Sequence, residues 1–147
     1  MTAQDNAGYA ALILRVSLGI MFIAHAALKI FVFTPAGTVG FFGSLGLPAI
    51  CAYLTIGAEL LGGAALILGF YTRWVSMALI PVLVGSIVLV HGSKGWLFAN
   101  EGGGYEYPLF LIAASVVAAL LADGYYSIRT RVARTRPSNQ SAAMASA

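Results

Sequence analysis

TIGAELLGGAALILG, residues 55–69, is the most informative segment of this chain. It is apolar, rich in small residues and free of proline, and it lies in a longer apolar run from Ala49 to Phe70. A helix needs about 20 such residues to cross a bilayer, so this run predicts one span. Its carboxylate, Glu59, would lie near the midplane, where a charge costs at least about 2.5–3.5 kcal/mol. We therefore expect Glu59 to be neutral, paired or next to a wet cavity inside a helix bundle.

The composition is typical of an integral membrane protein. Of the 147 residues, 60% are hydrophobic and 9% are charged, whereas soluble domains carry roughly 25% charged residues. The formal net charge is +3, and four of the eight basic residues follow the last apolar segment, at Arg129, Arg131, Arg134 and Arg136. Such a cluster sets membrane topology and contacts anionic lipids. The positive charge therefore predicts no nucleic-acid partner.

Four apolar segments predict four transmembrane helices. The expected fold class is all-α, an integral membrane four-helix bundle over residues 9–128, with spans at about 9–31, 49–70, 74–90 and 106–125. Glycine and proline punctuate residues 34–48 and glycine punctuates 91–105, which predicts loops there. Residues 1–8 read as a short tail without Lys or Arg, which argues against a signal peptide. Residues 129–147 predict a basic, disordered C-terminal tail.

An even number of spans places both termini on the same side of the membrane. Arg73 and the tail arginines would share that side, while Lys29 and Lys94 would lie on the other. The positive-inside rule then makes both termini cytoplasmic. The polar residues that gather towards the outer face under this topology are His25, Lys29, His91, Lys94, Glu101 and Glu106.

The first span carries a polar stripe of its own. Arg15, His25 and Lys29 share one helix face at three- and four-residue spacing, together with apolar residues between them. We expect this face to be turned to the bundle interior. Because an arginine side chain is long, we expect Arg15 to be the main partner of Glu59, with His25 nearer the outer mouth.

A second polar group is expected at the outer boundary. Lys29, His91 and Glu106 each lie within about one or two turns of a helix end on three different helices. We expect these three side chains to converge as an outer polar cluster, with Glu106 paired to Lys29. The alternative is that each reaches separately into the headgroup region.

Several short motifs occur in a fixed order along the chain. They are Arg15, Val16, Leu18, Gly19, Phe22, His25 and Lys29, then Glu59, Gly62 and Gly63, then Leu68, Gly69, Thr72 and Arg73, then His91 and Gly92, then Gly103 to Glu106, and finally Gly124 to Ser127. In this order and spacing they resemble the DoxX family of small four-helix bacterial membrane proteins, over about residues 10–130. The acidic residue that closes the last motif in many members is missing here, so no role of that acid carries over.

The resemblance implies a multi-pass protein of the bacterial plasma (inner) membrane in a respiratory or sulfur-redox context. Family members have been linked to quinone-coupled thiosulfate oxidation and to membrane complexes that handle oxidative stress. Expected partners are therefore membrane lipids and other membrane or periplasmic redox proteins, with a homo-oligomer also open. For most members the reaction is unassigned, so the family indicates the architecture better than the chemistry.

Three functions remain open at this point. The first is a redox subunit linked to a quinone or to thiols and sulfur, for which the catalytic candidates are Glu59, Arg15 and His25. His25, Glu59 and Tyr105 are the candidates for binding the quinone. The second is a non-catalytic anchor or assembly subunit whose buried pairs only hold the bundle together. The third is a small proton or solute transporter, which four spans without an inverted repeat disfavour.

The sequence argues against haem, a metal ion and a dinucleotide as cofactors. Haem is disfavoured because His25 and His91, although on different helices, differ in depth by roughly 6 Å. No metal site is expected, since the chain has no cysteine cluster, and no dinucleotide motif is present, so electrons must come from a substrate or partner. The one cysteine, Cys51, also excludes an oxidase that works through its own dithiol.

Overall fold

The computed structural model describes residues 2–128 and is entirely helical, with no strand in that range. The helices are α1 (Ala3–Ala27), α2 (Thr34–Ser44), α3 (Ala49–Leu68), α4 (Thr72–Ser86) and α5 (Glu106–Leu121). A π-helical turn, Leu28–Val32, extends α1, and a second one, Ile87–His91, extends α4. A short 3₁₀ turn, Gly92–Lys94, follows the second π-helical turn.

Three of these helical segments are long and apolar enough to cross a membrane. They are Ala3–Val32, Ala49–Leu68 and Thr72–Lys94. The fourth apolar helix, Glu106–Leu121, is shorter, with 16 residues. Over residues 2–128 the protein is therefore all-helical with transmembrane helices, as the sequence predicts. The predicted basic tail at 129–147 lies outside the described residues.

Helices α1, α3, α4 and α5 pack around a shared apolar core. Helix α1 contacts α3 and α5, and α4 contacts the same two helices from the other side. The largest core side chains are Leu18, Phe22, Leu66, Leu79, Leu83 and Leu111. Helix α2 packs outside this core, against α3 and the π-helical turn that follows α1. We call the two ends of the helices the Arg15 end and the Lys29 end.

Two glycines set the register between α1 and α3. A Cβ atom on Gly19 would lie 2.6 Å from the carbonyl oxygen of Gly63, and one on Gly63 would lie 2.7 Å from that of Gly19. Only glycine allows backbones to approach so closely. Gly62 meanwhile faces Leu79 of α4, whose side chain would lie 3.0 Å from an added Cβ. The small-residue stripe in the second span therefore supports close packing on two sides, as expected.

Helix α1 begins earlier than Tyr9, the start predicted for the first span. The Thr2 hydroxyl accepts a hydrogen bond from the Asp5 amide at 3.2 Å, and the Asp5 carboxylate accepts one from the Thr2 amide at 2.9 Å. This reciprocal arrangement is a capping box. Most of the segment assigned to an N-terminal tail is consequently the first two turns of α1.

The loop predicted at 34–48 contains a helix, α2. Pro35 lies in its first turn, where the missing N–H costs no hydrogen bond. The Thr38 hydroxyl is buried and lies within hydrogen-bond distance of the carbonyl oxygens of Thr34 and Lys29, at 2.9 and 3.2 Å. The dense glycines predicted a loop, but the tertiary contact of Thr38 with the end of α1 favours a helix here.

Candidate functional site

A cavity of about 470 Å³ lies at the Lys29 end of the protein, bounded by α1, α2, α3, α4 and α5. Most of its lining is apolar, and a few polar side chains interrupt it. The polar side chains that matter for chemistry are His25, Lys29, Glu59, His91 and Tyr107. An apolar cavity of this size with a few convergent polar groups is the usual form of a site for a small organic ligand.

The centre of this polar group is an ion pair between Lys29 and Glu59. The Lys29 ammonium lies 2.8 Å from each oxygen of the Glu59 carboxylate. The Glu59 residue is 4% exposed and the Lys29 side chain 17% exposed. Glu59 therefore faces the interior, as the sequence predicts, and the lysine supplies the counter-charge that a buried carboxylate needs.

The π-helical turn at the end of α1 carries Lys29. The Phe33 amide donates to the carbonyl oxygen of Leu28, five residues earlier, at 2.9 Å. This wider turn interrupts the regular α-helical spacing at the residue that meets Glu59. Such turns occur frequently at functional sites. The second π-helical turn likewise ends at His91, which lines the same cavity.

The prediction that Arg15 is the main partner of Glu59 is wrong. Arg15 instead donates to the carbonyl oxygens of Leu66 at 2.9 Å and of Tyr125 at 3.0 Å, and to that of Ile67. It is 1% exposed, at the end of the protein away from the cavity.

The register of α1 against α3 explains the choice of Lys29. Gly63 lies against both Gly19 and Ile23, so it is level with about residue 21 of α1, and Glu59, one turn away along α3 towards the Lys29 end, is level with about residue 25. Arg15 is then about 15 Å away along the helix axis, and Lys29 about 6 Å. A lysine in the π-helical turn spans the shorter distance, while Arg15 meets the backbone carbonyls at the end of α3.

The predicted pair between Lys29 and Glu106 is also wrong. The Glu106 carboxylate accepts a hydrogen bond from the Phe98 amide at 2.8 Å and so orders the loop that leads into α5. Lys29 and His91 do line one cavity, so two of the three residues in the expected outer polar cluster are brought together. Lys29 pairs with Glu59 and not with Glu106 because Glu59 is the more buried carboxylate, and a buried charge gains more from a counter-charge.

His25 forms a second polar unit with Tyr107. The two rings are stacked, with centroids 5.8 Å apart and an angle of 17° between planes, and the Tyr107 hydroxyl lies 3.4 Å from His25 Nε2. His25 Nδ1 lies 2.9 Å from the carbonyl oxygen of Met21, which can only accept. In the neutral imidazole this contact assigns the proton to Nδ1 and leaves Nε2 as an acceptor for the tyrosine hydroxyl.

Tyr107 is the site residue that the sequence reasoning missed. Tyr105, the predicted candidate, packs edge-to-face on Trp96 with ring centroids 5.5 Å apart, and the cavity lining contains Tyr107 instead. Tyr107 begins a stripe with Leu111, at four-residue spacing, that continues along the buried face of α5. That spacing is a signal that could have identified the inward-facing tyrosine.

The chemistry available in this cavity is hydrogen bonding and proton transfer at organic groups. Among residues 2–128, no group of three or more His, Cys, Asp and Glu side chains is placed to hold a metal ion. Lys29 and Tyr107 supply donors, Glu59 and His25 supply acceptors, and all four groups can exchange protons. Cys51 adds one thiol to the wall.

Comparison with known proteins identifies clear relatives. The DoxX family model matches residues 10–92, a range that holds Arg15, His25, Lys29, Glu59 and His91 but ends before Tyr107. Over 117 residues the chain is 34% identical to a Bacillus subtilis (strain 168) protein named "Putative oxidoreductase CatD", a match that covers 80% of this chain and 82% of that protein. No solved structure matches.

Proposed function

The chain belongs to the DoxX family, and from this premise we propose that it is a membrane redox subunit that binds a quinone beside the Lys29–Glu59 pair. One observation carries the proposal: a buried carboxylate and half-buried proton donors and acceptors converge inside a cavity whose lining is mostly apolar. The relative named as an oxidoreductase supports a redox role.

The polar groups match what a quinone requires. Its two carbonyl oxygens accept hydrogen bonds, which Lys29 Nζ can donate and which the Tyr107 hydroxyl can donate when it turns its proton from His25 Nε2 to the quinone. Conversion to the quinol takes up two electrons and two protons. We propose that the Tyr107–His25 unit delivers protons, while the Lys29–Glu59 pair holds the ring and replaces the protons used.

The electron donor that we propose is a thiol or another reduced sulfur compound. Two thiols that join as a disulfide release two electrons and two protons, and a quinone takes up the same number to become a quinol. The reaction is therefore balanced without a metal or a second cofactor. This proposal assigns the sulfur chemistry to the donor, because the chain has a single cysteine.

The proposed topology has four membrane spans with both termini in the cytoplasm of a bacterium and the protein in its inner membrane. The fourth span, Glu106–Leu121, extends about 24 Å, somewhat less than the hydrocarbon thickness of about 30 Å. Residues on both sides must complete the crossing. The quinone cavity then lies in the outer half of the bilayer.

Cysteine labelling tests this topology. In a variant in which Cys51 is replaced by Ala, we introduce one cysteine at Ser93 or at Ser138 and treat intact cells with an impermeant maleimide. Labelling of Ser93→Cys, with Ser138→Cys labelled only after lysis, is the expected result. Labelling of Ser138→Cys in intact cells, without labelling of Ser93→Cys, would invert the orientation.

Replacing Tyr107 by Phe tests the proposed chemistry. In purified protein reconstituted into lipid nanodiscs, with a soluble dithiol as the donor, we expect the rate of quinone reduction above background to fall about 100-fold or more, because the proton donor is lost. The matched control, Tyr105→Phe, should keep the wild-type rate, since Tyr105 packs on Trp96 outside the cavity.

Two results would count against this function. Equal rates for Tyr107→Phe and Tyr105→Phe would remove Tyr107 from the mechanism. A wild-type protein that binds quinone but reduces none of it with any thiol or sulfur donor would favour the alternative, a non-catalytic anchor or assembly subunit of a redox complex.

A further inference from the structure

The rim of the cavity is apolar. Four residues line the cavity and are also exposed on the protein surface, which places them where the cavity opens. Phe33 directly precedes α2, and Phe41 lies on it. Pro81 lies on α4, and Leu89 lies in the π-helical turn that follows α4. In contrast, the Glu59 carboxylate is almost completely buried, so the cavity is polar inside and apolar at its opening.

The opening lies at the depth of the hydrocarbon. Pro81 is nine residues after Thr72, the start of α4, which places it about 14 Å along the helix. That is near the middle of a hydrocarbon core about 30 Å thick. Leu89 lies about 12 Å further towards the Lys29 end. Leu89 is then about 4 Å inside the edge of the hydrocarbon, whereas a molecule that enters beside Pro81 comes from the lipid.

Helix α2 forms one side of this opening. It is joined to its neighbours at two residues with left-handed backbone, Thr34 with φ 61° and Gly46 with φ 79°. Its phenylalanines at 41 and 42 line the cavity opposite α4. Among the described residues that line the cavity, the charged side chains are Lys29 and Glu59, which lie deeper inside. The part of the wall between the two phenylalanines and α4 is therefore uncharged.

We propose that the cavity takes a lipid-dissolved quinone with a long apolar tail, which enters between α2 and α4. The ring lies beside Lys29, Glu59 and Tyr107, and the tail leaves past Phe41 and Leu89 into the bilayer. This inference rests on the proposed function and adds the class of quinone and its route. A quinone without a tail would gain the polar contacts at the ring but not the apolar contacts at the rim.

A tail-labelled probe tests the route. The probe is a quinone whose ten-carbon tail ends in a photoreactive diazirine, added to the protein in nanodiscs, and the cross-links are mapped by mass spectrometry. We expect cross-links at Phe41 and along residues 81–89 that an excess of the tailless quinone removes. Lipid-facing positions such as Leu120, which is 77% exposed on α5, should show only labelling that the competitor leaves unchanged.

A larger side chain at the rim gives a second, independent test of the entry route. In Leu89→Trp, we expect the affinity for the tailed quinone to fall more than about tenfold, while the tailless quinone keeps its affinity. Leu120→Trp is the matched control, since it places the same ring on the exposed face of α5, and it should change neither affinity.

The outcomes separate this inference from the proposed function. If the tailless quinone binds but no cross-link at the rim responds to it, and Leu89→Trp weakens neither ligand, the lateral route is wrong while the quinone site stands. If neither quinone binds the wild-type protein, both proposals are overturned.

Discussion

Replacing either member of the Lys29–Glu59 pair alone is expected to destabilise the protein by about 3–5 kcal/mol. Glu59→Leu leaves the Lys29 ammonium without its carboxylate in a largely apolar wall. Lys29→Met leaves a carboxylate that is almost completely buried. The double variant removes both charges, and we expect it to recover most of the lost stability, because two apolar side chains of similar volume need no partner.

Thermal unfolding of the four proteins in one detergent measures this coupling. The control pairs Glu59→Leu with Arg15→Lys, two sites without shared contacts and about 15 Å apart along the helix axis, whose effects should add to within about 0.3–0.5 kcal/mol. If the Lys29 and Glu59 variants are additive instead, the ion pair contributes nothing. The double variant should nevertheless bind no quinone, so recovered stability without recovered binding separates the structural role of the pair from its functional one.

Arg15→Leu is expected to be the other severe substitution, with a loss of more than about 3 kcal/mol. Hydrogen bonds from a charged group to buried acceptors contribute about 1.5–3 kcal/mol each, and Arg15 makes them to Leu66, Ile67 and Tyr125. The first two acceptors are carbonyls in the last turn of α3, where the regular helical hydrogen bonds end, and the Leu66 carbonyl also accepts from the Gly69 amide at 3.1 Å. Arg15→Lys should lose less, because it keeps the charge but reaches fewer carbonyls.

A surface arginine at the same end of the protein is the control. Arg73 is exposed, and its guanidinium lies 5.9 Å from the ring centroid of Trp74, a contact worth about 0.5–1 kcal/mol. We expect Arg73→Leu to lower stability by no more than that. Equal melting temperatures for Arg15→Leu and Arg73→Leu would show that the buried contacts of Arg15 are unimportant.

The features that the sequence predicts correctly are those with a local cause. The apolar run around Glu59 is long enough to span a membrane, and the cost of a charge there requires the carboxylate to face inwards; the structure has it 4% exposed. The glycines at 62 and 63 predict close helix approach, and both meet neighbouring helices. The ordered motifs identify the DoxX family, and the family match confirms it.

The partner of Glu59 could not be predicted because it depends on the register between two helices. Gly19 and Gly63 fix that register, and the π-helical turn then brings Lys29 within reach. Neither effect is visible in the spacing of charged residues along one helix. Spacing alone left Arg15 and His25 as the candidates flanking Glu59, the greater length of arginine favoured Arg15, and Lys29 was expected to pair with Glu106 instead.

Tyr107 and α2 show a second reason why part of the structure could not be predicted from the sequence. Tyr105 and Tyr107 are two residues apart at the start of α5, so a small change in where the helix begins decides which ring faces inwards. In α2, three glycines and a proline predict a loop, whereas Thr38 supplies a contact with the end of α1 that the local sequence does not reveal. In both places tertiary packing overrides the local pattern.

The central claim is that the cavity beside Lys29 and Glu59 holds a quinone, and equilibrium binding to a protein with a blocked cavity tests it most directly. Gly85 lines the cavity, and among residues 2–128 a Cβ there would meet no atom within 4 Å beyond its chain neighbours and the backbone of its own helix, so Gly85→Leu should fill the cavity without disturbing the helices. Gly57 on α3 has the same open surroundings within residues 2–128 but lies outside the cavity lining, which makes Gly57→Leu the matched control. Titrated in nanodiscs, the wild-type protein and Gly57→Leu are expected to bind one quinone each with equal affinity, and Gly85→Leu to bind more than about tenfold more weakly. Equal binding by all three proteins, or no binding by the wild type, would contradict the assignment of this cavity as a quinone site.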